Sequence, residues 1–161
     1  MSFSQHRAVF DCVVFAQALI STNGPAAECI ERVRRKQVAL FASTSILTEI
    51  RELPYKISPH HGVTVDQAEQ LAREVTRIAT IVDDAPTIYT HPVDPDDSMY
   101  INLAVATQSK LIISRDRHLL NLMDVRRTEG KDFHLLFPQL VIMPPHVFAQ
   151  QLRKEERNEK H

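Results

Sequence analysis

The chain of 161 residues is poor in glycine, holding only three. So few glycines disfavour a phosphate loop or a dinucleotide-binding turn, both of which need glycine where backbone must approach phosphate. Cysteine is scarcer still. Cys12 and Cys29 are the only two, they form no CxxC pair, and a disulfide framework needs more. Both read as small buried hydrophobes in a reducing compartment. No GxSxG elbow marks a serine nucleophile. The histidines, His60-His61, His91, His118, His134 and His146 among them, form no HExxH or other compact metal spacing. They read as solvated, with His118 set apart by its place two residues after Asp116. No run approaches the roughly 18 apolar residues that cross a bilayer, and no signal-peptide pattern opens the chain. A soluble, cytoplasmic protein with no membrane partner is expected. Charge of one sign is lacking too: 19 Lys+Arg against 20 Asp+Glu leave a net charge of -1. No global basic field announces nucleic acid, although a local patch is enough to bind phosphate.

What is present suits one globular domain, with 43% hydrophobic and 24% charged residues. Residues 1–152 are expected to form that domain, with 153–161 a charged tail that frays. Arg7 to Asp11 reads as a buried strand ending in an acid, followed by a short helix. Pro25 opens a second helix that ends near Gln37. Val38 to Ala42 is a second strand, after which Ser43-Thr44 offer N-cap hydroxyls to a helix carrying Ile46, Leu47, Ile50 and Leu53. Pro54 and Pro59 punctuate a loop around His60-His61-Gly62. Thr64 caps a helix of 3.6-residue period from Val65 to Ala79. Ile81-Val82 and Thr87 to Tyr89 are short strand candidates. An acidic turn, Val93 to Asp97, opens a helix with Met99, Tyr100, Leu103, Ala104 and Ala106 on its apolar face. Leu111 to Ser114 is the clearest strand, Leu140 to Met143 the last, and a final helix runs from Pro145 through Leu152. Val125 to Phe137 gives no clear periodicity. Apolar strands alternating with amphipathic helices predict an α/β fold, a parallel sheet with helices on both faces.

In such sheets ligands bind beyond the carboxyl ends of the strands. Asp11 ends the first strand, and Asp116 follows the clearest strand by two residues. Glu49 lies in the helix after the second strand, and Asp97 opens the helix that leads to Leu111. Singly, each has an ordinary structural reading: helix-terminal acid, cap or solvated position. Together, carboxylates converging on one sheet edge repel one another and call for a compensating cation. Hard ions such as Mg²⁺ or Mn²⁺ prefer such oxygen ligands and promote phosphodiester hydrolysis.

These residues carry a family resemblance over Arg7 to about Leu152. The aspartate of Val9-Phe10-Asp11, the glutamate six residues after Ser43, Asp97 seven residues before Ala104, and Ser114-Arg115-Asp116 before Leu119-Leu120 resemble the motifs of PIN domains, in particular those of VapC-type toxins. The resemblance implies a three-layer α/β/α fold with a central parallel sheet of about five strands, and an Mg²⁺- or Mn²⁺-dependent ribonuclease. It implies Asp11, Glu49, Asp97 and Asp116 as catalytic residues, the metal held by Asp11, Asp97 and Asp116, with Asp96 an alternative to Asp97. Ser114 would orient Asp116 or a water. An RNA substrate, an antitoxin partner and homodimerisation are likewise implied. The sequence departs from the pattern where a polar pair usually follows the first aspartate. Here Cys12 and Val13 stand, and loss of such orienting groups weakens a metal site by ~10–100-fold.

Arg32, Arg34, Arg35 and Lys36 form the densest basic run and read as a solvated face, with Arg126-Arg127 a smaller pair. Arg115 and Arg117 flank Asp116 and, with Ser114, are the candidate substrate-binding residues, placed to meet a phosphate. Two other functions are compatible with the sequence. One is a catalytically weakened PIN-like module that binds RNA or protein, motivated by Cys12-Val13. The other is a phosphoryl-accepting receiver domain, which needs paired early acids that this chain lacks.

Overall fold

The structure, a computed structural model, describes residues 5–56 and 62–160. Pro59, His60 and His61 lie outside the described residues. Five short strands, β1 (His6–Phe10), β2 (Val38–Ser43), β3 (Thr80–Val82), β4 (Leu111–Ile113) and β5 (Val141–Met143), pair in the order β3-β2-β1-β4-β5. Every pairing is parallel. Ala8, Val9, Phe10, Ile112 and Ile113 are wholly buried, as strands covered on both faces must be. The helices are α1 (Cys12–Ile20), α2 (Pro25–Arg34), α3 (Thr44–Arg51), α4 (Leu53–Lys56), α5 (Val65–Ile78), α6 (Ser98–Ala106), α7 (Arg117–Leu120), α8 (Thr128–Leu136) and α9 (Pro145–Glu159). The expected three-layer α/β/α architecture with a five-stranded parallel sheet is therefore present.

The strand order decides where a site can form. From β1 the chain builds outward to β2 and β3, then crosses back to β4 and β5 on the other side. The switch point lies between β1 and β4, where crevices open at the carboxyl ends. Phe10 pairs with Ile113 there. The ladder runs one step further: the Asp11 N–H donates to the Ile113 carbonyl at 2.9 Å, and the Ser114 N–H to Met143 at 3.1 Å.

Local chemistry explains several of the helix starts. Ser43 caps α3, its hydroxyl accepting from the Ile46 N–H at 3.3 Å. Asp84 reinforces that start, accepting from the Ser45 N–H and the Ser45 and Thr44 hydroxyls. Thr64 and Gln67 form a reciprocal capping box on α5.

Three expectations need correction, and one stretch without clear periodicity is resolved. Thr87 to Tyr89 is not a strand: Asn102 on α6 takes the Ile88 and Tyr89 N–H groups and donates to the Tyr89 carbonyl, occupying the backbone that a ladder would use. Pro54 lies inside the short helix α4, at its second position, where a missing N–H costs nothing. The stretch Val125 to Phe137 contains α8, with Phe133 wholly buried. The last helix does not stop at Leu152 with a frayed tail behind it. It continues to Glu159 because charged side chains tie it down: Glu156 to the buried Arg32 at 2.7 Å, Arg153 to Glu28 at 3.2 Å, and Glu155 to His6 at 2.9 Å.

Candidate active site

Asp11 sits at the switch point, N-capping α1. Its Oδ1 accepts from the Val13 N–H at 3.0 Å and its Oδ2 from the Ser114 hydroxyl at 2.6 Å. The same Ser114 oxygen accepts from the Asp116 N–H at 2.9 Å. One wholly buried serine thus couples the ends of β1 and β4. Asp11 takes its hydrogen bonds from the backbone of Val13 and the hydroxyl of Ser114, neither of which needs a polar side chain at position 12 or 13. Asp116 N-caps α7, accepting from the His118 N–H at 2.7 Å.

Glu49 enters from α3. The hydroxyl of Tyr100, which is 3% exposed, donates to Glu49 Oε2 at 3.2 Å and accepts from the Cys12 N–H at 3.2 Å. Its one proton is therefore committed to Glu49. Burial, with Asp11 and Glu49 nearby, pushes the Tyr100 phenol far above its usual range, so it stays a donor. Burial likewise pushes the Cys12 thiol up to about 12, which removes it as a nucleophile. The apolar-face reading of Tyr100 missed this hydroxyl, for periodicity places a side chain without saying what its tip meets.

Asp97 ends a 3-10 turn, Pro95–Asp97, and stands at the N-cap position of α6 without a side-chain capping hydrogen bond. It is 7% exposed, whereas Asp96 beside it points to solvent. Asp97 Oδ2 is buried and finds no hydrogen-bond donor among the described residues. Ligand atoms of Asp94, Asp97, Asp116 and His118 lie within 4.8 Å of one another. The motifs do not single out Asp94. The side chain of His118 is 44% exposed, and its Nδ1 stands 3.3 Å from Asp94 Oδ2 and 3.9 Å from Asp116 Oδ1. His91, read as solvated, is 1% exposed and structural.

The acids feel one another. Burial raises Asp11 above the usual carboxylate range, and the charges of Asp116 and Glu49 add to the rise, while hydrogen bonds from Ser114 and Val13 oppose it. Burial and the neighbouring charges of Asp116, Asp94 and Asp11 push Asp97 up to about 7. A crowd of oxygen donors, raised acids and an orphaned buried carboxylate oxygen is the arrangement that a divalent cation would relieve. The residues therefore fit such an ion.

The basic candidates divide. Arg115 Nη1 donates to Gln17 on α1. Arg117 is exposed on α7 and makes no ion pair among the described residues. The arginines of the denser run are consumed elsewhere: Arg32 by Glu28 and Glu156, Arg34 by Glu31 and Glu74, Arg35 by Glu31. The run lies where α2 leads into the amino end of β2, away from the acids.

The PIN domain family matches residues 7–118. No curated protein matches the chain. Among solved structures, the crystal structure of VapBC2 from Rickettsia felis bound to a DNA fragment from their promoter holds a chain of similar fold. The TM-score is 0.53 at 9% identity, covering 86% of this chain and 98% of that one. Identity that low speaks for the fold alone.

Proposed function

The chain belongs to the PIN domain family, and from that premise we propose that it is a divalent-metal-dependent ribonuclease, the toxin of a toxin–antitoxin pair. The observation that carries the reading is Asp97: a nearly buried carboxylate with an unpartnered oxygen, facing Asp116 at the β1–β4 switch point. We assign Asp11, Asp97 and Asp116 as the residues that hold Mg²⁺ or Mn²⁺. The bound cation would make water a better nucleophile and offset the charge that builds on the phosphate. Ser114 keeps Asp11 and Asp116 in mutual register. Glu49, which accepts a hydrogen bond from Tyr100, would accept a proton from an attacking water. Arg115 and Arg117 flank the site and would meet phosphates of the RNA backbone, giving affinity without sequence choice. Likeness of fold to a VapBC2 chain supports an antitoxin partner, and we expect two copies to associate as a homodimer.

The test is cleavage of RNA by the purified protein with Mg²⁺ or Mn²⁺. Cleavage should stop with chelator, and fall at least about a hundredfold in Asp97→Asn and in Asp116→Asn. Asp96→Asn should leave it unchanged. Wild-type rates in both of the first two variants would overturn the mechanism. For the toxin role, expression should arrest growth with Asp97 intact and not with Asp97→Asn.

A further inference from the structure

The acids expected from the motifs account for one side of the site. The other side contains a nitrogen. His118 Nδ1 lies 3.3 Å from Asp94 Oδ2 and 3.9 Å from Asp116 Oδ1. Donor atoms that share an ion at about 2.0–2.2 Å stand roughly 3–4.4 Å apart, so these separations need little closure. Asp97 supplies the third oxygen ligand, and its Oδ2 is buried without a partner.

The arrangement is held from behind. His91 Nδ1 accepts from two N–H groups, those of Val93 at 3.0 Å and Asp94 at 3.1 Å. Its proton is thereby confined to Nε2, which donates to the His118 carbonyl at 2.9 Å. One neutral, buried imidazole thus clamps the acidic turn to the start of α7. The His118 N–H is fixed in turn by Asp116 Oδ1 at 2.7 Å. Asp94 and His118 are 24 residues apart in sequence yet are kept side by side. A chance surface ion pair would not need this support.

We propose that Asp94 and His118 join the assigned acids at Asp97 and Asp116, adding an imidazole ligand to the cation position, which makes the site favour Mn²⁺ over Mg²⁺. The proposal rests on the metal-dependent reading above and deepens it. The chemistry is one of donor type. Mg²⁺ demands hard oxygen ligands in near-ideal octahedral geometry and gains little from imidazole, whereas Mn²⁺, the weakest binder among the first-row transition ions, still accepts a nitrogen ligand beside carboxylates.

The experiment uses the full chain with Mn²⁺ alone as probe. Pulsed electron paramagnetic resonance of the bound Mn²⁺ should show coupling to an imidazole nitrogen, lost in His118→Ala and in His118→Asn. By calorimetry, Mn²⁺ affinity should fall at least about tenfold in both variants, and Mg²⁺ affinity should change less than about twofold. Circular dichroism of the two variants checks folding, and loss of coupling in the folded His118→Asn protein counts for the proposal. Mn²⁺ bound without nitrogen coupling, or equal losses for both ions, would overturn it while leaving the nuclease reading standing. A wild-type protein that binds neither ion would overturn both.

Discussion

Adjacent acids of one turn have opposite surroundings. Asp96 faces water, and Asp97 is buried beside Asp94 and Asp116. Burial rather than residue type separates them, because an ionised carboxylate taken from water needs a counter-charge or donors. Tyr100 illustrates the same dependence on surroundings. Its ring is an ordinary core aromatic, but its hydroxyl joins the first turn of α1 to the glutamate of α3. Removing that oxygen leaves the Cys12 N–H without its acceptor and Glu49 without its donor. Tyr100→Phe should therefore lower RNA cleavage about tenfold and cost about 1–2 kcal/mol of stability. A urea melt paired with the cleavage assay checks both. In a Glu49→Ala background the further loss of cleavage should vanish. If the two substitutions add independently, Tyr100 acts through packing and not through Glu49.

At the scale of elements, short strands and capped helices do the positioning. β4 is three residues long, yet its end sets Ser114 and Asp116 because the register with β1 and β5 continues past it. α8 depends on a close approach. A Cβ at Gly130 would stand 1.9 Å from the Asp124 carbonyl oxygen, backbone that cannot swing aside. Gly130→Ala should destabilise the protein by about 2–3 kcal/mol, read as a lower denaturation midpoint. An unchanged midpoint would mean that α8 can slide on the turn before it. α9 holds its outer turns through ion pairs with α2 rather than through apolar burial, which ends at Leu152.

Across the whole molecule, the crowded acids couple stability to pH. The Asp97 carboxyl is raised from 3.8 to about 7, so between those values the folded protein keeps a proton that the unfolded chain releases. Stability then falls as pH rises through that window and levels off above it. Asp11 is raised as well and acts with the same sign. Metal-free protein should thus melt at lower temperature at pH 8 than at pH 5, and Asp97→Asn should flatten that slope. Saturating Mn²⁺ should restore the loss at pH 8, since an ion that binds only the folded form stabilises it. Calorimetric melting curves with and without Mn²⁺ check this, and a wild-type curve that rises steadily from pH 5 to 8 would contradict it. No described helix is long and apolar enough to cross a membrane.

The sequence by itself determined the layers, the parallel sheet, and the acids Asp11, Asp97 and Asp116 as strand-end or helix-start residues. These follow from local rules: apolar runs make buried strands, hydroxyls and acids cap helices, and a parallel sheet presents its carboxyl ends to ligands. Only the tertiary structure decided which side chains meet. The nearness of His118 to Asp94, the buried clamp at His91 and the hydroxyl bridge of Tyr100 each join segments far apart in the chain. Periodicity carries no information about such meetings, because it reports which face of an element is covered and not which atom covers it. The end of α9 was missed for a similar reason: its charges look solvated until α2 brings Arg32 and Glu28 to meet them.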